Sequence, residues 1–185
     1  MALSFPIQRA GRILRSGGVV AYPTEGVFGL GCIPDDADAV IRILSIKKRS
    51  PDLGLVLIAS GIEQLDGWAE IPDGVSLESS LDRPVTWIVP ATTSVPYWIK
   101  GEHHGLAVRI TSHPVASALC NAADSPLVST SANVAGSPPA RSAFVLRRRF
   151  RSLVDCIVPG RCGPAVGASE IRDLNSGMVI RAGNA

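Results

Sequence analysis

The segment Val19–Cys32 reads V-V-A-Y-P-T-E-G-V-F-G-L-G-C, an apolar run followed at once by a polar, glycine-rich stretch. The apolar run Val19–Tyr22 predicts a short buried strand, and Pro23 ends it because proline supplies no backbone N–H to a sheet. The residues from Thr24 to Cys32 predict a loop, since glycine is frequent in turns. A polar loop directly after a buried strand is a favourable place for a ligand.

Apolar strands and amphipathic helices alternate along the rest of the chain. Most of the strands are apolar on both faces, which predicts a sheet covered by helices on both sides. The elements are less regularly spaced than in a doubly wound parallel fold, so we expect a three-layer α/β fold (alpha+beta) with a mixed sheet. The predicted helices are Ser4–Arg15, Pro114–Asn121, Ser142–Phe150 and one that is capped by Asp35 or Asp36 and ends near Ile46, with two short helices within Gly61–Asp82. The predicted strands are Val19–Tyr22, Leu55–Ala59, Pro84–Pro90, Leu106–Ile110, Leu127–Ser131, Val154–Val158 and Met178–Arg181.

The length and composition are typical of one folded domain, which we expect to span 1–185. The 185 residues are 46% hydrophobic and 18% charged, which excludes intrinsic disorder as the main state. No apolar run reaches the roughly 18 residues of a membrane span, and Met1–Gly18 lacks the apolar core of a signal peptide. We therefore expect a cytoplasmic protein with no membrane contact. The four cysteines lack metal-ligand spacing, and no metal-binding residues are predicted.

Three polar loops follow predicted strands or helices: Pro23–Gly26, Lys47–Pro51 and Ser129–Asn133. Their cations and hydroxyls suit a phosphate or carboxylate ligand, because arginine offers a bidentate fork and lysine a point charge. Ordinary turn and helix-end chemistry explains the same residue types equally well. The common nucleotide-binding glycine loops and the serine nucleophile elbow are absent from the sequence.

A basic run surrounds the last predicted helix and comprises Arg141, Arg147, Arg148, Arg149 and Arg151. Such a run is either a solvated helix face or a contact for RNA phosphates. The net charge of +2 does not by itself indicate a nucleic-acid-binding protein.

Five motifs in order resemble those of the YrdC/TsaC family, and the resemblance extends from about Gly17 to Arg181. They are A-Y-P-T-E-G-V-F-G-L-G-C at Ala21–Cys32, K-x-R at Lys47–Arg49, L-A-V-R-I-T-x-H-P at Leu106–Pro114, S-T-S-A-N at Ser129–Asn133 and S-E-I-R-D at Ser169–Asp173. The resemblance implies a single YrdC-like three-layer domain and the activity of a threonylcarbamoyl-AMP synthase, a nucleotidyltransferase. The implied substrates are L-threonine, bicarbonate and ATP with Mg²⁺. The implied partner is the tRNA threonylcarbamoyl transferase machinery that uses the product. Separately from the resemblance, the basic run makes tRNA or double-stranded RNA a candidate partner.

The resemblance also implies roles for individual residues. Lys47 and Arg49 correspond to residues of the chemical step. Those matched to ATP are Arg49, Asn133, Arg141 and Arg181, and those matched to threonine are Thr24, Arg109, Ser131 and Ser169.

The sequence departs from the family pattern at three positions. Leu53 stands where the family has a polar lysine or asparagine, and Leu81 and Arg83 stand where it has tryptophan and glycine. An RNA-binding module that uses the same positive cleft without turnover is therefore kept as an alternative. An accessory domain of the hydrogenase-maturation type is a third alternative.

Overall fold

A computed structural model describes residues 4–77 and 79–183 of the chain. Its nine strands form one sheet in the order β7-β1-β2-β6-β3-β5-β4-β8-β9. The strands are β1 Val20–Pro23, β2 Phe28–Gly31, β3 Val56–Ala59, β4 Val85–Pro90, β5 Gly105–Ile110, β6 Leu127–Ser131, β7 Cys156–Ile157, β8 Glu170–Asp173 and β9 Val179–Arg181. The α-helices are α1 Phe5–Arg15, α2 Ala37–Lys47, α3 Tyr97–Lys100, α4 Pro114–Ala123 and α5 Ala143–Phe150, and short 3-10 turns cover Pro51–Leu53 and Ile62–Leu65.

The sheet is mixed, as the sequence predicts. Strand β1 runs parallel to β7, β3 to β5, and β4 to β8, whereas the other neighbouring strands are antiparallel. No helix among the described residues is both long enough and apolar enough to cross a membrane. Glu78 in the predicted Gly61–Asp82 region, together with residues 1–3 and 184–185 of the predicted domain, lies outside the described residues.

Helices cover both faces of the sheet, which confirms the three-layer prediction. On one face, α1 and α4 pack against each other and bury Leu14, Val20, Ile58 and Leu119. On the other face, α2 and α5 contribute to a larger core, to which the sheet adds alternate residues such as Ala21 and Leu57. The alternation follows from the two-residue period of a strand, which sends successive side chains to opposite faces.

Strand β2 corrects the sequence analysis, which predicts a loop over Thr24–Cys32. Strand propensity is low here because two of its four residues are Gly29 and Gly31. The structure gives the reason for Gly31, since a Cβ there would lie 2.6 Å from the Val128 carbonyl oxygen and 2.8 Å from Cε1 of Tyr22. Glycine therefore marks a close approach of the tyrosine ring to the sheet. Strand β8 and the short helix α3 are further elements that the sequence analysis does not predict.

Candidate active site

A cleft of about 820 Å³ opens on the α1/α4 face of the sheet, beyond the part that these two helices cover. Its floor consists of small side chains that share this face, among them Gly29, Ser129, Val56 and Ala107. The strand register explains the shared face, because Val56 stands opposite both Ser129 and Ala107 on its two neighbouring strands. Small residues in one row leave room above the sheet for a ligand.

The loop Thr24–Gly26 forms one wall of the cleft and is fixed by its own hydrogen bonds. The Thr24 backbone N and side-chain Oγ1 both donate to the Val27 carbonyl oxygen, at 3.1 and 2.7 Å. The Ala165 backbone N donates to the Glu25 carbonyl oxygen at 3.0 Å and brings a second segment onto this loop. Gly26 is needed for that approach, since a Cβ there would lie 2.7 Å from the Ala165 oxygen.

The chain reverses at the end of α2, so Lys47 and Arg49 extend to different sides of the backbone. Lys48 adopts a left-handed conformation with φ 51°, which ends the helix and reverses the chain. Lys47 stays beneath the turn that follows β6, and its Nζ donates to the carbonyl oxygens of Ser131 at 2.5 Å and Asn133 at 3.0 Å, and to Asn133 Oδ1 at 2.9 Å. Burial, with a smaller contribution from the Arg49 charge, lowers the pKa of Lys47 to about 8. Lys47 thus fixes the Ser131–Asn133 turn from below.

Arg49 extends into the cleft on the other side of this chain reversal. Its Nη2 donates to the carbonyl oxygens of Leu53 and Gly54, at 3.0 and 2.9 Å. These bonds hold the plane of the guanidinium at the wall of the cleft. Its Nε is buried and has no hydrogen-bond partner within the described part of the chain.

Arg109 approaches the cleft from β5 and faces the buried carboxylate of Glu25. The distance from Arg109 Nη1 to Glu25 Oε2 is 3.7 Å, and only 1% of the Glu25 side chain is exposed. Burial alone would raise the pKa of Glu25, but the Arg109 charge and a hydrogen bond from Thr111 outweigh it, so the pKa lies below its ordinary value. Glu25 is therefore an anion at neutral pH.

Ser169 is held at the edge of the cleft by two side chains. Its Oγ lies 2.8 Å from Thr86 Oγ1, and Arg181 Nη2 donates to its carbonyl oxygen at 2.9 Å. Since β4 and β5 pair with Trp87 opposite Val108, the next position of that register places Thr86 beside Arg109. Ser169 and Arg109 thus belong to the same end of the cleft.

Six of the nine residues predicted for the site line the cleft: Thr24, Arg49, Arg109, Ser131, Ser169 and Arg181. The other three lie beside it. Lys47 and Asn133 support the turn after β6, where Asn133 Oδ1 also accepts a hydrogen bond from Ser131 Oγ at 2.6 Å. Arg141 is exposed, and its Nη2 donates to the Ala165 carbonyl oxygen at 3.3 Å.

Further residues line the cleft without having been assigned a role from the sequence, namely Glu25, Lys100, His103 and His104. Glu25 lies inside a quoted motif, but nothing in the sequence shows that the fold places it against Arg109. Leu53 lines the cleft, whereas Arg83 lies in a separate groove with Trp87 and Arg172. No three His, Cys, Asp or Glu side chains among residues 4–77 and 79–183 are grouped as a metal site requires.

The mixed sheet and its cation-lined cleft define an α/β protein whose cleft has the chemistry that anionic small molecules require. A sequence profile of the Sua5/YciO/YrdC family, whose description is "Telomere recombination", matches residues 12–183. The chain belongs to this family. A protein named Threonylcarbamoyl-AMP synthase from Nitrosococcus oceani is 48% identical over 95% of this chain and 96% of its own. One of the same name from Xanthomonas euvesicatoria is 44% identical over 98% of this chain and all of its own.

Solved structures show the same fold. Sua5 of P. abyssi in complex with L-threonine superimposes with a TM-score of 0.84 at 32% identity. The match covers 96% of this chain, which spans about half (54%) of the P. abyssi protein. YciO of E. coli superimposes with a TM-score of 0.79 at 26% identity, over 96% of this chain and 88% of its own. The family predicted from the five sequence motifs is confirmed.

Proposed function

We propose that this protein is a threonylcarbamoyl-AMP synthase, which condenses L-threonine, bicarbonate and ATP. The threonine amine forms a bond to the carbon of bicarbonate with loss of water. An oxygen of the resulting carbamate attacks the α-phosphorus of ATP, and pyrophosphate leaves with the electron pair of the broken P–O bond. The product, threonylcarbamoyl-AMP, supplies the group that is transferred to an adenosine beside the tRNA anticodon.

The observation that carries this proposal is the 48% identity to a protein of that name over 95% of this chain. The cleft supports it, because all three substrates bring a carboxylate, a bicarbonate or phosphates. Among the described residues that line the cleft, four are basic (Arg49, Lys100, Arg109 and Arg181) and one, Glu25, carries a carboxylate. The carbamate is already an anionic nucleophile, so the reaction depends on positioning and on stabilising charge.

We assign threonine to the end of the cleft formed by Arg109 and Ser169, with Thr24 and Ser131 alongside. The guanidinium of Arg109 presents the paired donors that a carboxylate accepts. We assign the ATP phosphates to Arg49 and Arg181, with Asn133 and Arg141 at the margin of the cleft. We assign Lys47 a positioning role instead of a part in the chemical step, because it lies beside the cleft and the hydrogen bonds of its Nζ hold the Ser131–Asn133 turn.

Mg²⁺ belongs to the nucleotide substrate, where it neutralises phosphate charge and polarises the α-phosphorus. The downstream partner is the tRNA threonylcarbamoyl transferase machinery, the cellular site is the cytoplasm, and the whole chain, 1–185, acts as one domain. Contact with tRNA is assigned to the exposed arginines of α5.

Pyrophosphate release tests the proposal directly. The protein is incubated with ATP, Mg²⁺, bicarbonate and threonine, and each component is omitted in turn. Release that requires all four, together with a product of the mass of threonylcarbamoyl-AMP, supports the proposal. Release without threonine contradicts it. Binding of tRNA with no release would favour the alternative of an RNA-binding module.

A further inference from the structure

Three residues that line the cleft each have a buried polar atom without a hydrogen-bond partner within the described residues: Glu25 Oε2, Arg49 Nε and Arg109 Nε. Two of these residues, Glu25 and Arg109, face each other across 3.7 Å. Buried polar atoms without partners are rare in native proteins, and each one calls for an explanation. The unused donor of Arg109, beside a carboxylate to which it makes no hydrogen bond, points to a ligand that accepts hydrogen bonds from this guanidinium.

Hydrogen bonds within the described residues fix only one of the two carboxylate oxygens of Glu25. Its Oε1 accepts hydrogen bonds from Thr111 Oγ1 at 2.6 Å and from the Ser112 backbone N at 3.2 Å. These two bonds fix the plane of the carboxylate and direct the second oxygen, Oε2, at Arg109.

The distance between Glu25 and Arg109 is too long for a hydrogen bond. A charge-assisted bond between arginine and a carboxylate is about 2.7–2.9 Å long, and arginine often makes two of them. At 3.7 Å, Glu25 compensates the positive charge of Arg109, whose side chain is only 13% exposed, without using its N–H groups. A buried cation would otherwise be costly. The guanidinium is therefore held in place without a hydrogen bond to Glu25, and it can bind a carboxylate.

We infer that Glu25 is a positioning residue that holds the Arg109 guanidinium ready for the carboxylate of threonine. This inference rests on the proposed function, which supplies threonine as the ligand. Glu25 itself does not touch threonine in this arrangement, and it acts through Arg109.

Glu25→Gln tests the inference with little change of shape. The two hydrogen bonds from Thr111 and Ser112 require an acceptor, so the amide oxygen takes the position of Oε1 and the NH₂ group faces Arg109. Two donors then oppose each other, and the guanidinium moves away. We expect the Kd for threonine, measured by NMR titration without ATP, to rise about 10-fold, as for other residues that orient a direct contact. We expect the Kd for ATP to change little.

A double-mutant cycle shows whether the effect passes through Arg109. In an Arg109→Gln background, Glu25→Gln should alter the threonine Kd by less than about 2-fold, because no guanidinium remains to be positioned. Thr111→Val removes the strongest anchor of Glu25 and should weaken threonine binding in the same direction. Glu70→Gln makes the same chemical change at an exposed site and serves as the control.

Three results would overturn the inference: an unchanged threonine Kd in Glu25→Gln, equal losses for threonine and ATP, or an undiminished loss in the Arg109→Gln background. Thermal unfolding of each variant separates weakened binding from loss of the fold. The proposed function fails independently if the wild-type protein binds threonine but releases no pyrophosphate, and the inference about Glu25 would then still hold.

Discussion

Arg49 is the residue whose loss should most directly impair the proposed reaction. Its guanidinium is held by the carbonyl oxygens of Leu53 and Gly54 and faces the cleft. Arg49→Ala removes one preorganised charge, so we expect kcat/KM to fall about 10²–10³-fold. Steady-state pyrophosphate release measures this, with Arg9→Ala on the exposed face of α1 as the control. A variant with normal activity per folded molecule would assign Arg49 to the fold alone.

Lys47 makes the stability of the protein depend on pH in an unusual direction. Its pKa of about 8 in the folded state lies below the ordinary value of 10.5, so between these values the unfolded chain binds more protons. The free-energy cost of burying the charged Lys47 side chain applies in full below pH 8, and it decreases to zero as the pH rises towards 10.5. We expect the free energy of unfolding of the wild type, relative to Lys47→Met, to increase from pH 8 to pH 10 in urea titrations. A difference that stays constant or decreases over this range would contradict the assignment.

At the scale of residues, the sequence could predict the chemistry of the cleft but not all of its contacts. Arg49, Arg109 and Ser169 were identifiable because each lies in a family motif. The pairing of Glu25 with Arg109 was not, since 84 positions separate them along the chain and only the sheet brings them together.

At the scale of elements, β2 is a strand that the sequence did not predict. Its two glycines lower strand propensity, yet the structure requires Gly31 because the Val128 carbonyl and the Tyr22 ring occupy the space of a side chain. Strand β8 begins with Glu170 and ends with Asp173. Because acidic residues are infrequent in strands, the sequence did not predict that this segment pairs with β4 and β9.

Gly31→Ala should therefore destabilise the hairpin of β1 and β2. The new Cβ would meet backbone at 2.6 Å and a fully buried ring at 2.8 Å, and neither can move freely. We expect a loss of about 1–3 kcal/mol in the free energy of unfolding, as for other overpacked cores. The matched control is Gly29→Ala, where the nearest atom is the Thr24 side-chain methyl at 3.2 Å and can adjust. Equal losses in both variants would contradict this explanation.

Helix α5 carries the arginines proposed to contact tRNA. Arg147, Arg148 and Arg149 are all exposed. Arg149 Nη1 also donates to the Pro138 carbonyl oxygen at 2.9 Å, so replacing Arg147 and Arg148 avoids the loss of a structural hydrogen bond. If both contact phosphates, Arg147→Ala with Arg148→Ala should reduce the slope of log K against log salt by about two units at most. Filter binding of tRNA at several salt concentrations measures the slope. An identical slope in wild type and variant would leave the arginines as a solvated helix face.

At the scale of the whole molecule, the cleft is assembled from segments that span most of the chain. Thr24 follows β1, Arg109 is in β5 and Arg181 ends β9, so the order of strands in the sheet determines which residues meet. The sequence predicts most of these strands but not their order, because pairing of distant strands leaves no local pattern. A ligand that bridges these segments should stabilise the entire sheet.

Thermal unfolding with different amino acids tests both this stabilisation and the selectivity of the cleft. A ligand at 100 times its Kd stabilises by about 2.7 kcal/mol, which raises Tm by roughly 5–10 °C in a chain of this length. We expect threonine to raise Tm, and serine to need about 10–200 times the concentration, because one methyl group contributes only ~1–3 kcal/mol.

Valine should be rejected more strongly than serine. It keeps the shape of threonine but lacks the hydroxyl, and polar groups of the site such as the hydroxyl of Ser131 or Ser169 would lose their partner when it binds. At the same threonine concentration, Arg109→Gln should strongly reduce the Tm shift, which separates specific binding from a general effect of the solute. If valine raised Tm as much as threonine at the same concentration, the cleft would not recognise the hydroxyl, and the assignment of these serines to threonine would be wrong.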